Sequence, residues 1–77
     1  MKRAASPNDV IIGKALRRER ENAKMSQAEM ARRLGYNKSS VARWETGESA
    51  VTATDMIRYL QILYVDIQKF LEEMKLV

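Results

Sequence analysis

Apolar positions along the chain recur at helical spacing and never settle into alternation, so each patterned segment reads as an amphipathic helix. Ile12, Leu16 and Ala23 mark one side of a first helix, and Met30, Ala31 and Leu34 line a second. Val41 and Trp44 lie three apart on a third. Met56, Tyr59, Leu60 and Leu63 form the stripe of a fourth, and Ile67, Phe70, Leu71 and Met74 that of a fifth. No alternating run rich in Val, Ile and Thr occurs, so no strand is predicted. Ala31 is small enough to let the third helix cross the second closely, and a larger residue there should overpack the crossing at about 1–3 kcal/mol.

Start and stop signals set the boundaries. Ser6 precedes Pro7 and an acid at Asp9, a capped start with proline at the first helical position. Ser26-Gln27-Ala28-Glu29 and Thr52-Ala53-Thr54-Asp55 have the form of capping boxes. Asn37 and Asp66 supply the remaining caps, and Gly35 and Gly47 follow helix ends. The predicted helices are 7–23, 27–34, 38–46, 53–63 and 67–75. Only Gly35, Tyr36 and Asn37 separate the second from the third, a link that crosses short helices as in a helix-turn-helix over 27–46. The expected organisation is a flexible arm over 1–6 and one all-α domain over 7–75.

Composition narrows the chemistry. The 77 residues contain no cysteine and no histidine, which removes thiolate metal sites, disulfides and the commonest general base. No apolar run approaches the ~20 residues of a membrane span, and no secretory signal core follows Lys2 and Arg3. Asp9, Glu29, Asp55 and Asp66 fall at helix starts, where the helix dipole favours them. Lys38 precedes Ser39 and Ser40 without the upstream glycines of a phosphate-binding loop. No catalytic residue, cofactor or metal is therefore expected. Residues 1–44 hold 11 Lys or Arg against 4 Asp or Glu, a net of +7, and residues 45–77 carry a net of −3. Such asymmetry suits one face aimed at a polyanion. On the third helix, Lys38, Ser39, Ala42 and Arg43 share the side opposite Val41 and Trp44, with no acid among them. That face suits a DNA major groove; an ordinary solvated helix face is the plainer alternative.

Residues Met25 to Gly47, M-S-Q-A-E-M-A-R-R-L-G-Y-N-K-S-S-V-A-R-W-E-T-G, resemble the helix-turn-helix of the Cro/repressor type, the XRE family. The likeness spans about residues 10–71 and includes the step from Leu63 to Asp66. It implies a five-helix, lambda-repressor-like fold with the third helix as recognition helix. By the same resemblance, Lys38, Ser39 and Arg43 fall on base-reading positions, with Asn37 at their edge. Ser26, Gln27 and Thr46 fall on phosphate-contacting positions. Arg17 is itself read as a contact to the phosphate backbone, with a solvated side chain as the alternative. Arg20 and Glu45 match a structural ion pair of the lambdoid repressors, with two unrelated exposed charges as the alternative. Two departures stand out. The loop Glu48-Ser49-Ala50-Val51 lacks the family's basic residues, and Tyr64 stands where many members have glycine, so it must take an unfavourable backbone angle or a different turn.

The resemblance implies a sequence-specific regulator of transcription. The expectation is a cytoplasmic repressor, of bacterial or phage origin, that occupies a double-stranded DNA operator. One helix in one groove binds weakly, so a homodimer is expected, with helix five and the tail through Val77 as its seam. A restriction-modification controller, and an antitoxin with a toxin as protein partner, are alternatives within DNA binding. A protein-interaction module that has lost DNA binding is the alternative outside it. Lys2 and Arg3 are read as an unstructured terminus, or else as an arm reaching DNA.

Overall fold

A computed structural model describes residues 6–76. Among the described residues there are helices and no strands: α1 (Pro7–Asn22), α2 (Gln27–Leu34), α3 (Lys38–Thr46), α4 (Ala53–Ile62) and α5 (Ile67–Glu73). Ser6, the last residue of the expected arm, caps α1 as its sequence implies; the rest of that arm, with Lys2 and Arg3, lies outside the described residues, as does Val77. All five cap side chains accept from the backbone N–H three residues on: Ser6, Ser26, Asn37, Thr52 and Asp66. The two capping boxes do not close. Glu29 turns to Arg32 and Arg33 at 2.6 and 2.7 Å, which hold its carboxyl at about 2, and Asp55 accepts from Tyr36 and Arg58. Arg32 forks onto Glu29 with two charge-assisted bonds, and Asp55 gains one bond each from Tyr36 and Arg58, against the one that a backbone N–H would offer either carboxylate. α5 stops at Glu73, short of its expected end, because Met74 turns to extended backbone.

α3 packs against both α1 and α2, α4 covers α2 and α1, and α5 closes on α4. The core is Ala15, Leu16, Met30, Ala31, Leu34, Val41, Trp44, Tyr59, Leu60 and Phe70. Ile12, Met56, Leu63, Ile67 and Met74 are partly buried and pack against it, and two expected core residues are exposed. Ala23 is exposed just beyond the end of α1, and Leu71 is 46% exposed on α5. Ala15 is buried instead, because α1 is covered over a wider arc than one stripe implies. Gly13 marks the tightest contact. A Cβ there would sit 2.8 Å from the Glu45 carbonyl oxygen and closer still to that of Trp44. α1 can therefore lie directly on the C-terminal end of α3.

The α2–α3 turn is fastened from outside. The Tyr36 ring stands edge-on to Trp44, with centroids 5.0 Å apart, and its hydroxyl donates to Asp55 at 2.6 Å. Arg58 donates to the same carboxylate and to the Leu34 carbonyl at the end of α2. The hinge of the motif is thereby tied to α4.

Tyr64 resolves its conflict by taking the left-handed conformation, φ 57°, with the side chain 95% exposed. That conformation costs a side-chain-bearing residue about 1–2 kcal/mol. Glycine would relieve it at an unfolded-state entropy cost of about 0.4–1 kcal/mol. Tyr64→Gly is expected to raise stability by about 0.5–1 kcal/mol in urea unfolding. Gly13→Ala is expected to lower it by about 2 kcal/mol despite alanine's better helix propensity, because the obstructing atoms are backbone.

Candidate nucleic-acid interface

α3 sorts its side chains by charge. Val41 and Trp44 face the core, and so does Glu45, the helix's only acid, at 3% exposure. Lys38, Ser39, Arg43 and Thr46 are exposed, and Ala42 is half-buried. The outward surface of α3 is basic because its carboxylate is withdrawn.

Glu45 is satisfied on every side. Arg20 donates from Nε to Oε2 and from Nη2 to Oε1, both at 2.8 Å. The Gln27 amide donates to Oε1 at 3.0 Å, and the Tyr59 hydroxyl to Oε2 at 2.5 Å. A carboxylate has about four lone-pair sites, and all are used. The third nitrogen of Arg20, Nη1, donates to the Met25 carbonyl at 2.7 Å. Burial alone would push the Glu45 carboxyl up, but the bonds from Arg20, Gln27 and Tyr59 together hold it below its ordinary value. Burial and the neighbouring carboxylate push the Tyr59 phenol far up, so it stays a donor. Tyr59 was legible in the sequence only as a member of an apolar stripe; its hydroxyl is polar machinery of this site.

Gln27 links that network to the surface. A carboxylate only accepts, so the Gln27 atom facing Glu45 is its nitrogen, and one N–H remains for an external acceptor. Gln27 lines an open cleft of about 380 Å³ with Arg17, Arg20, Ser26, Ala28 and Lys38. The cleft brings together four of the residues expected to contact DNA, Arg17, Ser26, Gln27 and Lys38, at the N-terminus of α2, and no acid lines it. Backbone N–H groups and the helix dipole favour an anion there. Arg17 is engaged by Glu21 through Nε at 3.1 Å, an exposed pair.

The other expected residues lie along α3. Asn37 is the α3 cap, and its Oδ1 accepts from the Ser40 backbone and from both the Ser39 and Ser40 hydroxyls. Only its amide nitrogen is left to face a partner. Arg43 reaches Ser39, with Nη2 3.4 Å from Oγ. Thr46 is turned to its own chain: its hydroxyl donates to the Arg43 carbonyl at 3.2 Å and accepts from the Glu48 N–H at 3.4 Å.

A tri-helical motif whose outer helix exposes an acid-free face, with a basic cleft beside it, defines a helix-turn-helix domain. The chain belongs to that family: the helix-turn-helix domain family model matches residues 11–70. Three solved structures show the same fold. The restriction-modification controller protein C.AhdI from Aeromonas hydrophila shares 24% identity at a TM-score of 0.75, covering 82% of this chain and 91% of that one. The clp gene regulator ClgR from C. glutamicum shares 19% identity at a TM-score of 0.80, covering 94% and 92%. FeII HppE shares 31% identity at a TM-score of 0.72, over 82% of this chain but 33% of that one, so the fold also occurs as part of a much longer chain. No curated protein sequence matches. No helix among the described residues is long and apolar enough to cross a membrane.

Removing the carboxylate charge tests the network. Glu45→Gln leaves Arg20 buried without its counter-ion and is expected to cost about 3–5 kcal/mol at pH 7. The folded pKa of Glu45 lies below its unfolded value of about 4.3, so its stabilisation is complete above that pH. It is lost as pH falls through the folded value. Stability measured by urea unfolding should therefore drop more steeply below about pH 4.3 in the wild type than in Glu45→Gln.

Proposed function

We propose that this chain is a sequence-specific, double-stranded DNA-binding regulator of transcription that acts as a homodimeric repressor in the cytoplasm. The observation that carries the reading is the acid-free face of α3 next to the cleft at the start of α2. In this reading α3 enters the major groove, where Lys38, Ser39 and Arg43 meet base edges and Asn37 adds an amide donor at the rim. Ser26, Gln27 and Arg17 hold a phosphate in the cleft, and Thr46 meets the backbone at the far end of α3. The protein acts by occupying its site, with no chemical step.

Dimerisation is the second part of the proposal. α5 buries Phe70 but leaves Leu71 46% exposed, and Leu76 beyond it is 50% exposed. A two-fold pairing of α5 and the tail covers these side chains and sets two recognition helices on successive turns of the duplex.

Duplexes selected from a random pool provide the test. The wild type is expected to enrich a two-fold symmetric motif, with affinity falling steeply as salt rises. Lys38→Ala/Arg43→Ala should abolish the enrichment, and no enrichment by folded wild type would sink the reading. Arg17→Ala should weaken all sequences alike and shallow the salt slope by about one unit. For the dimer, Leu71→Asp should shift sedimentation from dimer to monomer with the helical content unchanged; a wild type that is monomeric with and without DNA refutes the seam.

A further inference from the structure

One backbone group fixes the hydrogen-bond polarity at the start of α3. The Ser40 backbone N–H, which can only donate, reaches a side-chain atom of Asn37 at 2.9 Å, so that atom is the carbonyl oxygen Oδ1. The Ser39 hydroxyl lies 2.8 Å from the same oxygen and must supply the hydrogen between them. Its only hydrogen is thus spent inside the chain, and of the two lone pairs on Ser39 Oγ one accepts from Arg43 and one is left for an outside donor. One helical turn on, Arg43 places Nη2 3.4 Å from that oxygen. A guanidinium only donates. Both side chains are exposed, so together they form a fork of donors beside an acceptor.

In the major groove a G·C pair presents guanine N7 and O6 as acceptors and then the cytosine N4 amino group as donor. O6 and N4 are themselves hydrogen-bonded, about 2.9 Å apart. The spacing of Nη2 and Oγ is close to that, and their polarity is complementary to it. An A·T pair offers only one acceptor before its donor. On the reading that α3 enters the groove, we propose that Arg43 and Ser39 read one G·C base pair as a unit. Arg43 donates to guanine N7 and O6, and Ser39 accepts the groove-facing N–H of the paired cytosine. Asn37 is the positioning residue that makes Ser39 an acceptor.

The test begins from the duplex enriched by the wild type. Selection with Arg43→Ala identifies the base pair that Arg43 reads. Ser39→Ala is expected to relax that same pair and no other, while Ser39→Thr, which keeps the hydroxyl, retains the preference. N4-methylcytosine at that pair keeps the pairing hydrogen and loses the groove-facing one. It should weaken wild-type binding about 5–10-fold, the worth of one neutral hydrogen bond, and leave Ser39→Ala unaffected. Asn37→Gly is a tolerated cap that frees the Ser39 hydrogen. It should broaden the choice at that one pair, whereas a capping role alone would lower affinity evenly across sequences. If Ser39→Ala relaxes a different pair from Arg43→Ala, or if the wild type binds the methylated duplex at full strength, the proposal is overturned and DNA binding stands. If folded wild type enriches no duplex, the DNA-binding reading fails, and this one with it.

Discussion

The buried carboxylate of Glu45 sets the arrangement of four helices. Taking a carboxylate and a guanidinium out of water costs several kcal/mol per ion unless their hydrogen-bonding sites are filled. Here the donors come from different elements: Arg20 from α1, Gln27 from α2 and Tyr59 from α4, all converging on α3. The ten apolar side chains of the core draw the helices together, but that attraction has no direction. Hydrogen bonds of 2.5–3.0 Å have one. A rotation of any of the three donor helices would leave a buried lone pair or a buried charge unmatched.

The same placement shapes the surface. Turning the only acid of α3 inward leaves Lys38 and Arg43 outward with nothing on their helix to neutralise them. Of the other acids of the C-terminal half, none is on α3: Asp55 is engaged by Tyr36 and Arg58 on α4, and Glu72 and Glu73 are exposed on α5. The charge asymmetry of the sequence therefore becomes a spatial one, with a basic face built by α1, α2 and α3. Gly13 contributes to this by letting α1 lie on the end of α3, which brings Arg17 and Arg20 to the same cleft as Lys38.

Signals that act within one turn of backbone were legible in the sequence. Caps at Ser26 and Asn37 and terminal glycines at Gly35 and Gly47 depend on neighbours a few residues away, so α2 and α3 have the boundaries that those residues predict. Properties that depend on what lies across the fold were not. Glu29 and Asp55 look like box residues until nearby arginines and Tyr36 compete for them. Gly13 is an unremarked residue of a helix unless the approach of α3 is known, and Tyr59 looks like a core aromatic until Glu45 is opposite it. Leu71 fits an apolar stripe, yet α5 is too short and too peripheral to bury both it and Phe70. At the site, residue types pointed to a basic helix, while the direction of each hydrogen bond required coordinates.

A buried ion pair is a poor source of stability, since well-packed apolar side chains of the same volume often do as well or better. What apolar packing could not supply is a defined polarity at the surface. Gln27 gives one N–H to Glu45 and is left with a fixed remainder facing the cleft; Ser39 gives its hydrogen to Asn37, accepts from Arg43 and is left with one lone pair. Each is oriented before any partner arrives, which avoids an ordering cost of about 0.5–1.5 kcal/mol per side chain at binding. The Lys38 side chain has no such commitment among the described residues, and the Arg43 side chain bonds only Ser39, at long range. The long cations thus provide reach and charge, and the short, internally bonded side chains provide the geometry by which one sequence is told from another.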